Sequence, residues 1–136
     1  MTTHALSKRH ILVVDDDPLV CETVTMLLQF DGHRVATASS GLQALAAFEP
    51  SRFDLVITDF FMPVMKGDEL ADAIKKRSPS QPVLMLTAYP EKVQTREHPM
   101  TSVDYLMGKP FELETLRAVI IKLSPVHNQD CPASQN

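Results

Sequence analysis

The sequence has few cysteines, no run of basic residues and no long apolar segment. Its two cysteines, Cys21 and Cys131, lack the spacing of a disulfide framework or a metal site. The net charge of −4 gives no electrostatic footprint for nucleic acid or an anionic membrane. No apolar stretch approaches the roughly 20 residues that span a bilayer, and no secretory signal opens the chain. We therefore expect a soluble, reduced, cytoplasmic protein that contacts neither nucleic acid nor membrane directly.

Apolar residues are plentiful but occur in short runs. The chain has 136 residues, 44% of them hydrophobic, which is long enough for one sizeable core and too short for two ordinary domains. Apolar, β-branched segments begin at Ile11, Arg34, Asp54, Pro82 and Val103. Such segments are typical of strands that are buried on both faces of a parallel sheet.

Stretches with apolar residues at helical spacing separate and follow these segments. The apolar positions are Leu19, Val20, Thr23, Met26, Leu27 and Phe30, then Leu42, Leu45, Ala46 and Phe48, then Leu70, Ala73 and Ile74, and finally Leu113, Leu116, Ile120 and Leu123. Asp17 before Pro18 predicts one helix start, and Ser40 predicts another. Because strands and helices alternate, we predict an α/β fold: an open, doubly wound, five-stranded parallel sheet, flavodoxin-like, with strand order 2-1-3-4-5.

The predicted domain covers residues 9–123. Residues 124–136 contain few large apolar side chains and two prolines, so we expect this tail, like residues 1–8, to be flexible. The fourth helix falls in residues 89–102, which carry two prolines and no apolar stripe, and we expect it to be short and mobile. We expect no output domain after the last helix, and Met1 favours a free-standing protein over one domain of a hybrid kinase.

Polar side chains with matching chemistry follow four of the predicted strands. Asp15 and Asp16 follow strand 1, Asp59 follows strand 3, Thr87 ends strand 4 and Lys109 follows strand 5. Because the carboxyl ends of parallel strands meet at one crevice, we expect these side chains to lie together. Adjacent carboxylates raise one another's pKa or require a cation, and their hard oxygen atoms suit Mg²⁺. Mg²⁺ commonly takes phosphate oxygens as well, so a phosphoryl group is the natural further ligand, with the lysine and the threonine binding its oxygens.

Each of these residues also has a structural explanation when it is taken alone. Asp17 reads as a helix cap, Asp59 as a turn residue before Pro63, and Lys109 as a surface charge. The chemical interpretation depends on the combination, because all four strand ends supply a suitable side chain.

The motifs "VVDDDP", "DFFMPVMKG", "LTA" and "KPF" together resemble the receiver domain of two-component response regulators, the modules related to the bacterial chemotaxis regulator. The resemblance covers about residues 9–123. It implies that Asp59 is the phosphoacceptor, that Thr87 is a switch hydroxyl and that Lys109 binds phosphate, with a cis bond before Pro110. The implied ligands of Mg²⁺ are Asp15, Asp16, Asp59 and the carbonyl of Phe61, with Asp16 a direct ligand.

The resemblance also implies a function and partners. The chain is expected to take a phosphoryl group from a phosphohistidine on a sensor histidine kinase or phosphotransfer protein. It would then signal by phosphorylation-dependent binding to an output protein that the sequence does not name, or act in a phosphorelay, and homodimerisation stays open. Its only catalysis would be its own phosphorylation and dephosphorylation. A degenerate receiver that binds partners without phosphate is the alternative. A phosphatase of the haloacid dehalogenase type is disfavoured. Members of that family have a D-x-D motif after the first strand, whereas here Asp15 and Asp17 flank another aspartate and the best nucleophile follows strand 3.

Some positions differ from the usual residues of that family, and two others bear on the lifetime of the phosphorylated state. The family usually has an aromatic residue three positions before the strand 5 lysine, but here that position is Leu106. Tyr105 should point to the opposite face of the sheet unless a bulge intervenes, which Gly108 could mark. In the family, the positions of Phe61 and Tyr89 influence how water reaches the acyl phosphate. Because two bulky rings should exclude water, we expect slow self-dephosphorylation.

Overall fold

Strands and helices alternate along the chain, as the apolar segments predict. The computed structural model describes residues 8–94 and 100–124. Its strands are β1 (His10–Val14), β2 (Arg34–Ala38), β3 (Leu55–Thr58), β4 (Val83–Thr87) and β5 (Tyr105–Gly108). Its helices are α1 (Pro18–Phe30), α2 (Gly41–Ala47), α3 (Gly67–Arg77), α4 (Pro90–Gln94) and α5 (Leu113–Leu123). Adjacent strands pair in parallel in the order β2-β1-β3-β4-β5, so the predicted fold class and strand order are confirmed.

Two apolar layers cover the two faces of the sheet, because successive residues of a strand point to opposite sides. One layer contains Ile11, Val13, Leu55, Ile57, Leu84 and Leu86 from the strands, Val24 and Leu28 from α1, and Leu116, Val119 and Ile120 from α5. The other contains Leu12, Val14, Val56 and Val83 from the strands, with Ala44 from α2 and Leu70, Ala71 and Ile74 from α3. Burial on both faces explains why the strands read as continuous apolar runs.

The predicted helix starts are confirmed. Asp17 is the N-cap of α1, and its side chain accepts a hydrogen bond from the amide of Leu19, with Pro18 in the first turn. Ser40 is the N-cap of α2 and accepts from the amide of Gln43. These side chains satisfy amide groups that the first helical turn leaves without a partner.

The apolar residues of α1 are divided between the buried and the exposed sides of the helix. The helix buries Val24 and Leu28, whereas Leu19, Met26 and Phe30 are 71%, 63% and 84% exposed. Apolar residues occupy most of the circumference of this helix, so their spacing alone did not identify the side that faces the sheet. The exposed residues Leu19, Met26 and Phe30 form a row along the helix, which we call the α1 stripe.

The β5 strand pairs with β4 without a bulge. The register runs from Leu84 opposite Tyr105 to Thr87 opposite Gly108. Tyr105 packs with the layer of α1 and α5, whereas Leu106 packs on the α4 side, so the prediction that they lie on opposite faces is confirmed. A Cβ atom at position 108 would lie 3.0 Å from Cγ of Pro90, so close approach of α4 explains the glycine.

Several predictions concern residues at or beyond the edges of the described chain. The described part of α4 ends at Gln94, and residues 1–7, 95–99 and 125–136 lie outside the described residues, so the predicted shortness and mobility of this helix and the predicted flexibility of the termini stay predictions. Ser124, which the prediction assigned to the tail, is buried, and its carbonyl accepts from Nε of Arg9. Among the described residues, none of the helices combines the length and the apolar character needed to cross a membrane.

Candidate functional site

Three carboxylates meet at the carboxyl ends of β1 and β3. Asp15 and Asp16 follow β1, Asp59 follows β3, and one oxygen atom of each lies within 4.8 Å of the other two. The amide of Asp59 donates to the carbonyl of Val14 at 3.1 Å, which joins the two strand ends. The structure therefore brings together the aspartates that the sequence predicts to cluster.

Lys109 brings a positive charge to this cluster. Its Nζ donates to Oδ2 of Asp15 at 3.0 Å, and the two side chains are only 17% and 6% exposed. Oδ1 of Asp15 accepts the amide of Asp17 at 2.9 Å, so both oxygens of this carboxylate are engaged. Asp15 is therefore held from two sides.

The environment of Asp59 disfavours its charged form. Burial raises the pKa of this carboxyl group, and the charges of Asp15 and Asp16 raise it further, whereas Lys109 and the amide of Phe60 act in the opposite direction. The Phe60 amide donates to Oδ1 of Asp59 at 2.8 Å, which orients the carboxylate. An ionised cluster is therefore short of positive charge even with Lys109 beside it.

Gly67 allows the backbone after Asp59 to fold tightly. A Cβ atom at this position would overlap the carbonyl oxygen of Asp59 and would lie 3.0 Å from Cε of Met85. The amide of Gly67 also donates to the carbonyl of Phe60 at 2.9 Å. A side chain here would have to displace the backbone of Asp59.

Thr87 is fully buried at the end of β4 and is bonded to two residues of the site. Its Oγ1 accepts the amide of Tyr89 at 3.3 Å, and its carbonyl accepts the amide of Lys109 at 2.8 Å. The peptide bond between Lys109 and Pro110 is cis, as the resemblance implies. The ends of β4 and β5 thus deliver a hydroxyl and an ammonium group to the edge that carries the aspartates.

Aromatic rings connect the loop after β3 to the start of α4. The rings of Phe60 and Phe61 meet edge to face at 4.7 Å, and those of Phe61 and Tyr89 at 5.9 Å. Nζ of Lys92 lies 4.8 Å from the centroid of the Tyr89 ring. The sequence identified Phe61 and Tyr89 as neighbours of the site but not their mutual contact. The role of the Phe61 carbonyl as a ligand stays a prediction.

The loop after β3 also contains a strained residue. Val64 has φ of 71°, the amide of Met65 donates to the carbonyl of Pro63 at 2.8 Å, and the Val64 side chain is 91% exposed. A positive φ is rare for a β-branched residue, and a three-residue turn of this kind is itself uncommon. Nothing in the spacing of the sequence predicts this conformation at Val64.

Leu19, at one end of the α1 stripe, also lines a groove that reaches Lys109. A cavity of about 390 Å³ lies between α1 and the start of α5. Its walls include Leu19, Val20, Thr23, Leu27, Lys109, Pro110, Phe111 and Leu113. Glu22 is the single charged residue among Pro18–Phe30, so charge patterning in the sequence does not identify the solvent-facing side of α1.

A divalent cation matches the donor set at the acidic cluster. Three carboxylates supply hard oxygen atoms within one ion's reach of each other, and the ammonium group of Lys109 brings a single positive charge to them. Asp15, Asp16 and Asp59 are the residues that could hold such an ion.

Known proteins and solved structures resemble this chain in sequence and in fold. The family model described as the response regulator receiver domain matches residues 11–121. The probable transcriptional regulatory protein TcrX of Mycobacterium tuberculosis is 37% identical over 105 residues, which are 76% of this chain and 44% of that protein. The transcriptional regulatory protein ZraR of Klebsiella oxytoca is 40% identical over 133 residues, 92% of this chain and 30% of that protein. The chain thus spans less than half the length of these relatives.

A solved structure of similar size is that of the response regulator TrrA from Thermotoga maritima, described as a complex with Mg²⁺ and BeF. It is 34% identical to this chain, has a TM-score of 0.76, and the match covers 85% of this chain and 98% of that one. The fold, the acidic cluster and the match across residues 11–121 lead to one conclusion: this chain belongs to the response regulator receiver domain family of two-component signalling.

Proposed function

We propose that Asp59 accepts a phosphoryl group from a phosphohistidine of a sensor histidine kinase or phosphotransfer protein, in a Mg²⁺-dependent reaction. The observation that carries this proposal is the meeting of three carboxylates and one ammonium group from separate strand ends. The product then signals through phosphorylation-dependent binding of an output protein or passes its phosphoryl group on in a relay.

The chemistry requires few groups. An oxygen of Asp59 attacks phosphorus in line, a P–O bond forms, and the P–N bond to the donor imidazole breaks, leaving its electron pair on the ring nitrogen. Lys109 neutralises charge on the transferring group, and the hydroxyl of Thr87 donates to one of its oxygens afterwards. Asp15 and Asp16, with Asp59 and the carbonyl of Phe61, would hold Mg²⁺, which supplies further charge neutralisation when bound.

The α1 stripe and the adjoining groove offer a surface for the phosphodonor. The groove reaches Lys109, so a protein seated on α1 would lie beside the phosphoacceptor. The α1 helix has 13 residues, so its exposed side is roughly 20 Å long and 10 Å wide, an area of about 200 Å². An interface this small suits a transient partner better than a permanent one.

The proposal is tested with acetyl phosphate as donor. We expect Mg²⁺-dependent incorporation of one phosphoryl group, seen as a mass increase, which is lost in Asp59→Asn and in buffer with EDTA. Asp17→Asn is the matched control, because Asp17 belongs to the same acidic run but caps α1, and asparagine caps equally well. No incorporation into the unaltered chain would instead favour a degenerate receiver that binds partners without phosphate.

The donor surface has its own test. Met26→Lys places a charge in the middle of the α1 stripe, away from Lys109, and should slow transfer from a phosphorylated phosphotransfer protein while leaving the rate with acetyl phosphate unchanged. Equal rates for Met26→Lys and the unaltered chain with the protein donor would exclude α1 as the docking face.

A further inference from the structure

Tyr89 contacts three separate parts of the site. Its amide donates to Oγ1 of Thr87 at 3.3 Å. Its carbonyl accepts the amides of Lys92 at 3.1 Å and Val93 at 3.3 Å, which form the first turn of α4. Its ring meets the edge of the Phe61 ring and lies under Nζ of Lys92. One residue therefore connects the buried threonine, the loop after β3 and the start of α4.

The β5 strand presents no aromatic ring to the α4 side. Leu106 lies on that side and packs against the cluster of Phe60, Met85 and Val93. Tyr105 lies on the other side, with Nζ of Lys122 at 5.8 Å from its ring centroid. A movement of Thr87 cannot be followed here by an aromatic side chain of β5.

We propose that Tyr89 is the positioning residue that transmits a movement of Thr87 to α4 in this chain. The inference rests on the proposed function, since it needs Thr87 to turn toward a phosphoryl group on Asp59. At 3.3 Å the bond between the Tyr89 amide and Oγ1 is already long, so a displacement of the hydroxyl breaks it. Because the Tyr89 carbonyl holds the first turn of α4, the start of that helix follows the released backbone.

The exposed ring makes the movement possible without disrupting the core. The Tyr89 side chain is 49% exposed, whereas Val93, four residues later, is 2% exposed and packs beside Leu106. A shift of the first turn of α4 therefore alters the packing around Val93 and Leu106, which connects the phosphoacceptor to the outer face of α4 and β5.

The composition of the chain allows the environment of Tyr89 to be followed by fluorescence. The chain has no tryptophan and two tyrosines, so Tyr105→Phe leaves Tyr89 as the single source of tyrosine fluorescence. Adding Mg²⁺ and beryllofluoride, a mimic of the phosphoryl group, should change this emission. Unchanged emission in protein whose Asp59 is occupied, as judged by ¹⁹F NMR of the bound fluoride, would overturn the inference and leave the proposed function intact.

Substitutions provide a second measurement. In ¹⁵N NMR spectra, beryllofluoride should shift the amide signals of Tyr89, Val93 and Leu106 in the unaltered chain. Tyr89 makes its hydrogen bonds to Thr87 and α4 through its backbone, so Tyr89→Ala should keep these shifts, whereas Thr87→Val, which removes the acceptor of the Tyr89 amide, should abolish them. Tyr105→Ala, on the opposite face, is the matched control and should keep them. Shifts of Val93 and Leu106 without a shift of the Tyr89 amide would overturn the inference. Failure of beryllofluoride to bind any of these proteins would overturn the proposed function together with the inference.

Discussion

The contact between Asp15 and Lys109 should be one of the strongest ion pairs of the described chain, although it is not the shortest. Replacing Asp15 by asparagine and Lys109 by methionine, singly and together, forms a double-mutant cycle. Asparagine keeps an acceptor oxygen for the amide of Asp17, so the cycle isolates the charge pair. In metal-free buffer at neutral pH, we expect a coupling free energy of about 2 kcal/mol in favour of folding.

The magnitude follows from the burial of the pair. At an effective dielectric constant of about 20, unit charges 3.0 Å apart attract by about 5 kcal/mol, and the loss of hydration removes a large part of this gain. Lys75 and Asp104 are closer, at 2.8 Å, but Asp104 is 37% exposed, so water screens their attraction. For that pair we expect no more than about 0.5 kcal/mol.

Urea unfolding followed by circular dichroism measures both cycles. With a slope of about 1.5 kcal/mol per M, a coupling of about 2 kcal/mol corresponds to more than about 1 M in the unfolding midpoint. The control cycle uses Lys75→Met and Asp104→Asn, where asparagine keeps the acceptor for the amide of Val83. If the two cycles gave equal coupling, burial would not govern the strength of the Asp15 pair, and the reasoning would be refuted.

Three further outcomes are expected. Val64→Gly should raise the free energy of unfolding by about 1 kcal/mol and Val64→Ala by much less, since glycine alone relieves the strain of positive φ; a destabilised glycine variant in urea unfolding would contradict this. Burial and then the charge of Arg9 lower the pKa of His33 below 6.5, so the unfolded chain binds the proton more readily, and stability should fall as pH drops below 6.5. In His33→Gln, the free energy of unfolding should depend less on pH over this range. An unchanged pH dependence in this variant, measured by urea unfolding, would refute the role of His33. The double variant Phe61→Asn, Tyr89→Glu should shorten the half-life of phosphorylated Asp59, measured by loss of label, and a nearly unchanged half-life would count against water exclusion by the two rings.

Local sequence features predicted the fold well because they act within a few residues. Asp17 and Ser40 cap helices through amides two or three positions away, so their role is visible in the sequence. The continuous apolar runs of the central strands follow from burial on both faces of the sheet. The alternation of these signals then leaves few possible topologies.

Features that depend on contacts between distant residues were not predictable in the same way. The bond from Lys109 to Asp15 rather than Asp59 depends on the relative positions of β1 and β5, which do not pair directly. The spacing of the apolar residues does not identify the buried side of α1, because nearly every side of that helix offers apolar residues. The contact between Phe61 and Tyr89 requires two loops to approach each other, and no spacing within either loop encodes it.

The order in which the ribosome releases the strands has a consequence for when this chain can work. The acid residues after β1 and β3 emerge early, but Lys109 belongs to the end of β5, an edge strand that is synthesised last among the described strands. A nascent chain halted before residue 109 lacks the ammonium group that lies beside Asp15. Competence to react with a phosphodonor should therefore arise late in translation, and a truncation inside the last strand should abolish it.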